Sequence, residues 1–506
     1  YITRADLRDK ESGEWRNSVM LSSDDADNLG ELYFINNAEN IYYQIDETNP
    51  VINVQKVYSD AYKEYTSSSG ATYPDASKAI NDRMKKGCLL FNYLGHGSPD
   101  HLSGERLVTI TDITSWTNYN KLALMITSTC EFARFDMVDK PAAGEYVLYS
   151  TNGAGIALIA ASRKISSNDG INKNLHRFAL ERQANGKAYT FGEVMKNAKN
   201  NTSLMTSERS IVLLGDPALR MSLPTYDIKT TQINNSYLNS DDSTFSSIDT
   251  VHALSTMTVK GEIRDFHGNK INDFNGKIQI TLFDKKSNYY TLDNEGLDSV
   301  LEFEQQNNVL HKGYAEVING EFSHTFIIPK DIAYNYGKGK LSYYAQNDSM
   351  DAAGYSKDFI IGGIDTSVSL VEDRPNLNLY LNDSNFVSGG ISNESPNIYA
   401  VVYDTIPINT VGTGLGHDIV ARLDNAANTF ILNDYYTYDE NDINKGYITY
   451  PLSGLEEGEH TLSLKVWNIF NFSTEQTITF TVSNSSSSTY QALNYPNPFS
   501  SSTNII

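Results

Sequence analysis

Apolar and polar positions alternate along this chain with two different periods, and the change falls near residue 225. Before it, apolar runs of strand length alternate with stretches whose apolar residues recur three and four apart. The runs predict strands over 18–22, 51–58, 88–94, 122–128, 155–161 and 211–214. The intervening pattern predicts a helix over 75–86, between Pro74 and Gly87, and another over 141–150, opening on a proline, the residue best tolerated in a first helical turn. A third is predicted over 172–183, where Leu175, Phe178, Ala179 and Arg182 recur before Gly186. Strands and helices in this alternation make a parallel sheet with helices on its faces.

Beyond 225 the period is two. Ile278, Ile280 and Leu282 alternate with polar residues, as do Leu462, Leu464 and Val466, and again Ile478, Phe480 and Val482. Two all-β blocks of sandwich size are expected, 225–362 and 366–485, meeting near Gly362 and Gly363. Asn484 and four serines then read as a flexible polar linker. The expected fold is multidomain: an α/β parallel sheet over 1–222, whose amino-terminal part is expected to be missing, then two immunoglobulin-like β-sandwich domains and a short segment, 486–506, too small for a domain.

Composition agrees with that count, since 506 residues at roughly 150 per domain make about three. Lys and Arg number 40 against 62 Asp and Glu, so 40 − 62 = −22, a field that repels phosphate backbones; no nucleic-acid partner is expected. No apolar run reaches the roughly 18 residues of a membrane helix. Two cysteines exclude a disulfide framework and a Cys-rich metal site.

The chemistry concentrates where two apolar strands run into reactive side chains: one ends in Gly95-His96-Gly97, the other in Thr129-Cys130. Parallel strands open their carboxyl ends into one crevice, which places both side chains at one edge. A cysteine nucleophile needs a base to make thiolate from a thiol of pKa about 8.5, and a histidine supplies it. The backbone N–H groups of Gly97 and Cys130 are the expected oxyanion donors. His-Gly alone is a weak signal, for His267-Gly268 repeats it in an ordinary turn, and a lone Cys is usually packed in a core. The two strand endings together are much rarer. Cys88 opens its strand about 20 Å from Cys130, too far for a disulfide, and reads as core. Asp24, Asp25 and Asp27 follow the first strand; Asp24 or Asp25 is a candidate third catalytic or cation-binding group, against a solvated loop or helix cap. Glu131, Phe132 and Arg134 follow Cys130, and Ser162 and Arg163 follow the next strand, as candidates to line a substrate pocket. No phosphate loop or His-Glu-x-x-His cluster occurs, so no organic cofactor or catalytic metal is expected.

The motifs NYLGHGS at 92–98, STCEF at 128–132 and LLGDP at 213–217 resemble the gingipain family of cysteine peptidases, over roughly residues 15–222. That resemblance implies a caspase-like fold with Cys130 as nucleophile and His96 as general acid and base; Thr129 stands where many relatives have Ala. The β half, in FIIPKDIAYNYG at 326–337, LYLND at 379–383, residues 408–418 and LSGLEEG at 452–458, is similar to the sortases of the type IX secretion system of Bacteroidetes. NYPNPF at 494–499 looks like the truncated start of a carboxy-terminal sorting domain. The resemblance implies a protein of the cell surface, docked on an outer-membrane β-barrel partner, that cleaves sorting domains from secreted cargo and passes the cargo to water or to an amine of anionic lipopolysaccharide. A general secreted endopeptidase and a non-catalytic surface-binding protein are the alternatives.

Overall fold

Ser18–Ser23 (β1) is buried along its whole length, serines included, because it lies between two other strands of a sheet whose faces are both covered by helices. The computed structural model describes residues 13–68, 70–165, 169–203, 207–237, 249–368, 372–410, 416–424, 428–439, 442, 444–483, 494–495 and 504–505. The chain divides into two compact units, 1–368 and 369–506.

In the first unit, β1 joins Asn53–Tyr58 (β2), Leu90–Leu94 (β3), Ala123–Ser128 (β4), Gly155–Ala161 (β5) and Ile211–Leu214 (β6) in a six-stranded sheet of order β6-β5-β4-β3-β1-β2. Five of the strands are parallel; β6 runs antiparallel to β5 at the edge, a departure from the all-parallel expectation. Alternation along the strands makes two cores. Val19, Leu21, Leu90, Leu124, Ile126 and Ile159 face one, with helices Tyr33–Thr48 (α1), Asp169–Leu180 (α4) and Phe191–Asn200 (α5). Met20, Phe91, Tyr93, Met125 and Leu158 face the other, with Pro74–Lys86 (α2) and Ala143–Tyr149 (α3).

The helix ends follow their local chemistry. Pro74 occupies the first turn of α2, and Gly87, at φ 91, ends it. Thr190 and Glu193 cap α5 reciprocally, each side chain accepting the other's backbone N–H. Cys88 lies just before β3, fully buried, with Sγ 3.8 Å from Met84 Sδ, and burial pushes its thiol up to about 11.

The change of period at 225 marks a change of architecture within one compact unit. An eight-stranded sheet and a three-stranded one come next, the latter formed by Asp249–Ala253, Gly337–Lys338 and Phe359–Ile364. A separate two-stranded pair, Ser287–Tyr290 with Glu302–Gln305, reaches back to the α/β part: Phe303 is 3% exposed in the same core as Val19 and meets Tyr58 ring to ring at 4.9 Å. Arg16 Nη1 lies 2.5 Å from Asp351 Oδ2, with both side chains nearly buried, and Asp351 also accepts from Tyr344 Oη and the Thr225 N–H. Removing one partner of a buried pair strands the other charge, a loss of about 3–5 kcal/mol. Asp351→Ala is accordingly expected to lower the stability of this unit to denaturant by that much, and Arg16→Met combined with it to recover part of the loss.

In the second unit, one sheet holds Asn376–Leu381, Asn397–Tyr403, Tyr436–Tyr438 and Lys445–Pro451. The other holds Gly390–Ser392, Val420–Leu423, Asn428–Ile431, Gly458–Trp467 and Ser473–Val482. Leu462, Leu464, Val466, Ile478, Phe480 and Val482 meet Leu377, Leu379 and Leu381 of the first sheet in one core, which is where the period of two directs them. The linker and most of the terminal segment 486–506, including all but the first two residues of its NYPNPF run, lie outside the described residues; within it 494–495 pairs antiparallel with 504–505.

Candidate active site

β1, β3 and β4 are neighbours in register, Ser23 opposite Leu94 and Leu94 opposite Ser128. Parallel strands that end in one row deliver their next residues to one edge. Asp24 succeeds the first strand, Gly95-His96-Gly97 the second and Thr129-Cys130 the third. The pairing runs one step further, since the Asp24 N–H donates to Leu94 O at 2.8 Å and the Gly95 N–H to Ser128 O at 3.3 Å.

The His96 side chain is 54% exposed, and its Nε2 lies 3.3 Å from Glu31 Oε1. Glu31 sits on the short 3₁₀ turn Leu29–Leu32 that leads into α1, and its other oxygen accepts the Asp27 N–H at 3.0 Å. Phe34 meets the imidazole edge-on, ring centres 5.3 Å apart. The carboxylate on the ring is therefore neither Asp24 nor Asp25. Asp24 instead holds the loop: its Oδ2 accepts the His96 N–H at 2.7 Å, while Tyr93 Oη donates to His96 O at 2.9 Å. With Glu31 at Nε2, Nδ1 is the ring nitrogen left to exchange a proton with a thiol.

Both glycines of the motif are required by close approach. A Cβ on Gly95, whose φ is 154, would stand 2.3 Å from Asp24 Cβ, and one on Gly97 would stand 2.4 Å from Thr129 Oγ1. Thr129 is thus packed against the His loop, with its hydroxyl buried and, among the described residues, without a hydrogen-bond partner.

Cys130 is half-buried, Sγ 3.6 Å from Ile165 O. Glu131 takes the left-handed conformation, φ 57, turning the chain directly after the thiol, and its N–H donates to Arg163 O at 3.3 Å. Among the described residues the N–H groups of Gly97 and Cys130 have no acceptor, which leaves both free for an oxyanion.

Of the pocket candidates, Phe132 is fully buried in the α2–α3 core and Ser162 donates to Ser210 O at 3.0 Å, so both serve packing instead. Glu131 is tied to Arg134 at 2.9 Å, and Arg163 makes a two-pronged pair with Asp136 at 3.0 and 2.6 Å, half exposed at the rim. Asp24 is raised to about 7 by burial, against the pull of the His96 N–H, and Asp25 to about 9 by burial and the Asp24 charge.

The family model for Peptidase family C25 matches residues 2–222, the stretch that carries this edge. That match takes in 221 of the 506 residues, all in the amino-terminal segment. Among solved structures, dimeric latent PorU from Porphyromonas gingivalis is similar at 22% identity over 96% of this chain, with TM-score 0.34. The chain spans 56% of the PorU chain. The Arg-specific cysteine proteinase gingipain R (RgpB) is similar at 16% identity over 72% of this chain and 71% of its own, TM-score 0.37. The complex of Porphyromonas gingivalis RgpB pro- and mature domains aligns at 17% over 72% of this chain and 73% of that one, with the same TM-score of 0.37. No curated protein matches. The matched segment contains His96, Cys130 and Glu31, whereas the β regions hold no cysteine. Among the described residues no helix is long and apolar enough to cross a membrane.

Proposed function

We propose that the chain is a caspase-like cysteine peptidase of the gingipain family, followed by immunoglobulin-like sandwiches, that acts as a cell-surface sortase. The observation that carries the peptidase reading is the strand register, which brings Glu31-buttressed His96 and Cys130 to one sheet edge. His96 takes the Cys130 proton, the sulfur attacks the scissile carbonyl, and the N–H groups of Gly97 and Cys130 receive the oxyanion. Loss of one such donor typically costs about 2.7–4 kcal/mol in the barrier. The leaving amine takes the proton from His96, and the acyl group rests on sulfur until water or an amine attacks.

The sortase reading rests on the motifs of the β half. Its cargo would carry carboxy-terminal sorting domains; its acceptor would be a lipopolysaccharide amine and its anchor an outer-membrane β-barrel. Water stands at about 55 M, so an amine competes only when bound and aligned, where effective molarities of about 10⁵ M are attainable. The test is incubation with a cargo protein ending in a sorting domain, with purified lipopolysaccharide acceptor included and added amine varied, followed by mass measurement of the new carboxyl end. Amide-linked cargo rising with amine concentration is expected. Free carboxylate alone at every concentration leaves the endopeptidase, and no cleavage together with no labelling of Cys130 by an acyl-arginine or acyl-lysine electrophile leaves the binding protein.

A further inference from the structure

The four-stranded sheet of the second unit sends its aliphatic side chains inward and a row of tyrosines outward. Leu377, Leu379, Ile398, Ala400, Val402 and Ile448 enter the core. Alternation along the same strands puts Tyr380, Tyr399, Tyr403 and Tyr447 on the opposite face. Register sets Tyr380 directly across from Tyr399, and Tyr447 one diagonal step further on. Successive ring centres stand 6.2 and 6.3 Å apart, with planes inclined by 36° and 19°, so the rings make a nearly level platform across three strands. Two pairs packed against the core meet edge-on instead, Tyr435 with Tyr450 at 87° and Tyr436 with Tyr438 at 90°. Around the platform Asn376, Asn378, Thr437 and Thr449 are exposed, and Tyr403 is 45% exposed at its end. Among the described residues of these four strands, Lys445 is the only charged side chain on this face. Its Nζ lies 5.2 Å from the Tyr447 ring centre and 3.8 Å from Asp439 Oδ2, which accepts from Tyr447 Oη at 2.6 Å.

We propose that this face binds a glycan, a chain of linked uncharged pyranose sugars laid across Tyr380, Tyr399 and Tyr447. A pyranose presents C–H groups on its faces and hydroxyls around its rim, so it needs a flat π surface beneath it and neutral donors and acceptors beside it. The tyrosines supply the first, and the asparagines and threonines the second. Cross-strand pairing stabilises a sheet whatever the tilt of the rings; a level surface matters only to something laid on it. Tyrosine also has few rotatable bonds, so little freedom is lost when a ligand settles there. A polyanion would need cations to spare, and the one lysine is already answered by Asp439. A protein partner would need a broad apolar centre, and besides the tyrosines only Val401 and Pro451 are apolar among the outward positions of these strands. None of these residues lies in the segment 2–222, so the proposal is independent of the peptidase reading.

The test is titration calorimetry of the full chain with linear hexasaccharides of glucose, mannose and xylose, and saturable binding of at least one is expected. Tyr399→Thr keeps a strand-forming side chain but removes the ring, and should weaken that binding about fivefold or more while the chain still melts cooperatively; Tyr380→Thr should do the same. Tyr399→Phe should retain binding, because the ring carries the contact. Ile431→Thr, at a position 60% exposed on the other sheet, should leave it unchanged. Absence of saturable binding by all the sugars overturns the site, as does binding that survives Tyr380→Thr and Tyr399→Thr combined. Binding of polygalacturonate alone overturns it in favour of a polyanion. Self-association in sedimentation velocity that Tyr399→Thr abolishes, with no sugar bound, overturns it in favour of a second copy of the chain.

Discussion

Cys130→Ala is expected to leave a folded protein whose peptide cleavage falls by about 10⁴-fold or more, while Cys88→Ala keeps its turnover and loses only about 1 kcal/mol of stability. The asymmetry follows from where each sulfur sits. Cys130 is half-buried beyond the carboxyl end of β4, with free N–H donors beside it. Cys88 is fully buried against Met84, and burial pushes its thiol up, so little thiolate exists there near neutral pH. Turnover on a peptide substrate, with melting curves of both variants, checks the pair. Equal loss of turnover in two folded variants sinks the assignment.

The second large effect is expected at the imidazole. His96→Ala should lower turnover by about 10²–10⁴-fold, the usual contribution of a positioned acid and base. Its loss should not add to that of Cys130→Ala in the double variant, because the two act as one unit. Glu31→Gln should fall between wild type and His96→Ala: the amide keeps the shape beside Nε2 but gives no charge to an imidazolium. Steady-state rates of the three proteins, with a melting curve of each to show that it is folded, check that order. An unchanged rate in His96→Ala points to another base.

How much of this was legible in the chain depends on how local each signal is. Most of the six strands were readable because apolar residues run through their middles, and β1, β3 and β4 are buried on both faces, whereas β2, NVQKVY, is polar at half its positions. α1 was not readable: its apolar residues are spaced for a helix, but Asn, Tyr and Thr, poor helix formers, crowd the stretch, and packing on the sheet decides the outcome. His96 and Cys130 announced themselves because each comes directly after such a run. Glu31 did not, since it acts on a residue far along the chain and no local spacing joins them; the remaining clue was that it, too, comes after a strand ending at the same edge. Phe132 misled for a related reason: adjacency to the nucleophile says nothing about which face a side chain takes, and this one turns into the core.

Phe303 carries a consequence for how such proteins are assembled in evolution. Recombination spreads domains most readily through joints that few contacts cross. The joint at 222–225 offers no such seam: a fragment ending there would keep the sheet yet lose the ring that closes over Tyr58 and the carboxylate that answers Arg16. A lineage that borrowed this peptidase would have to inherit the chain as far as 368, and natural fusions and engineered chimeras alike should break after that residue.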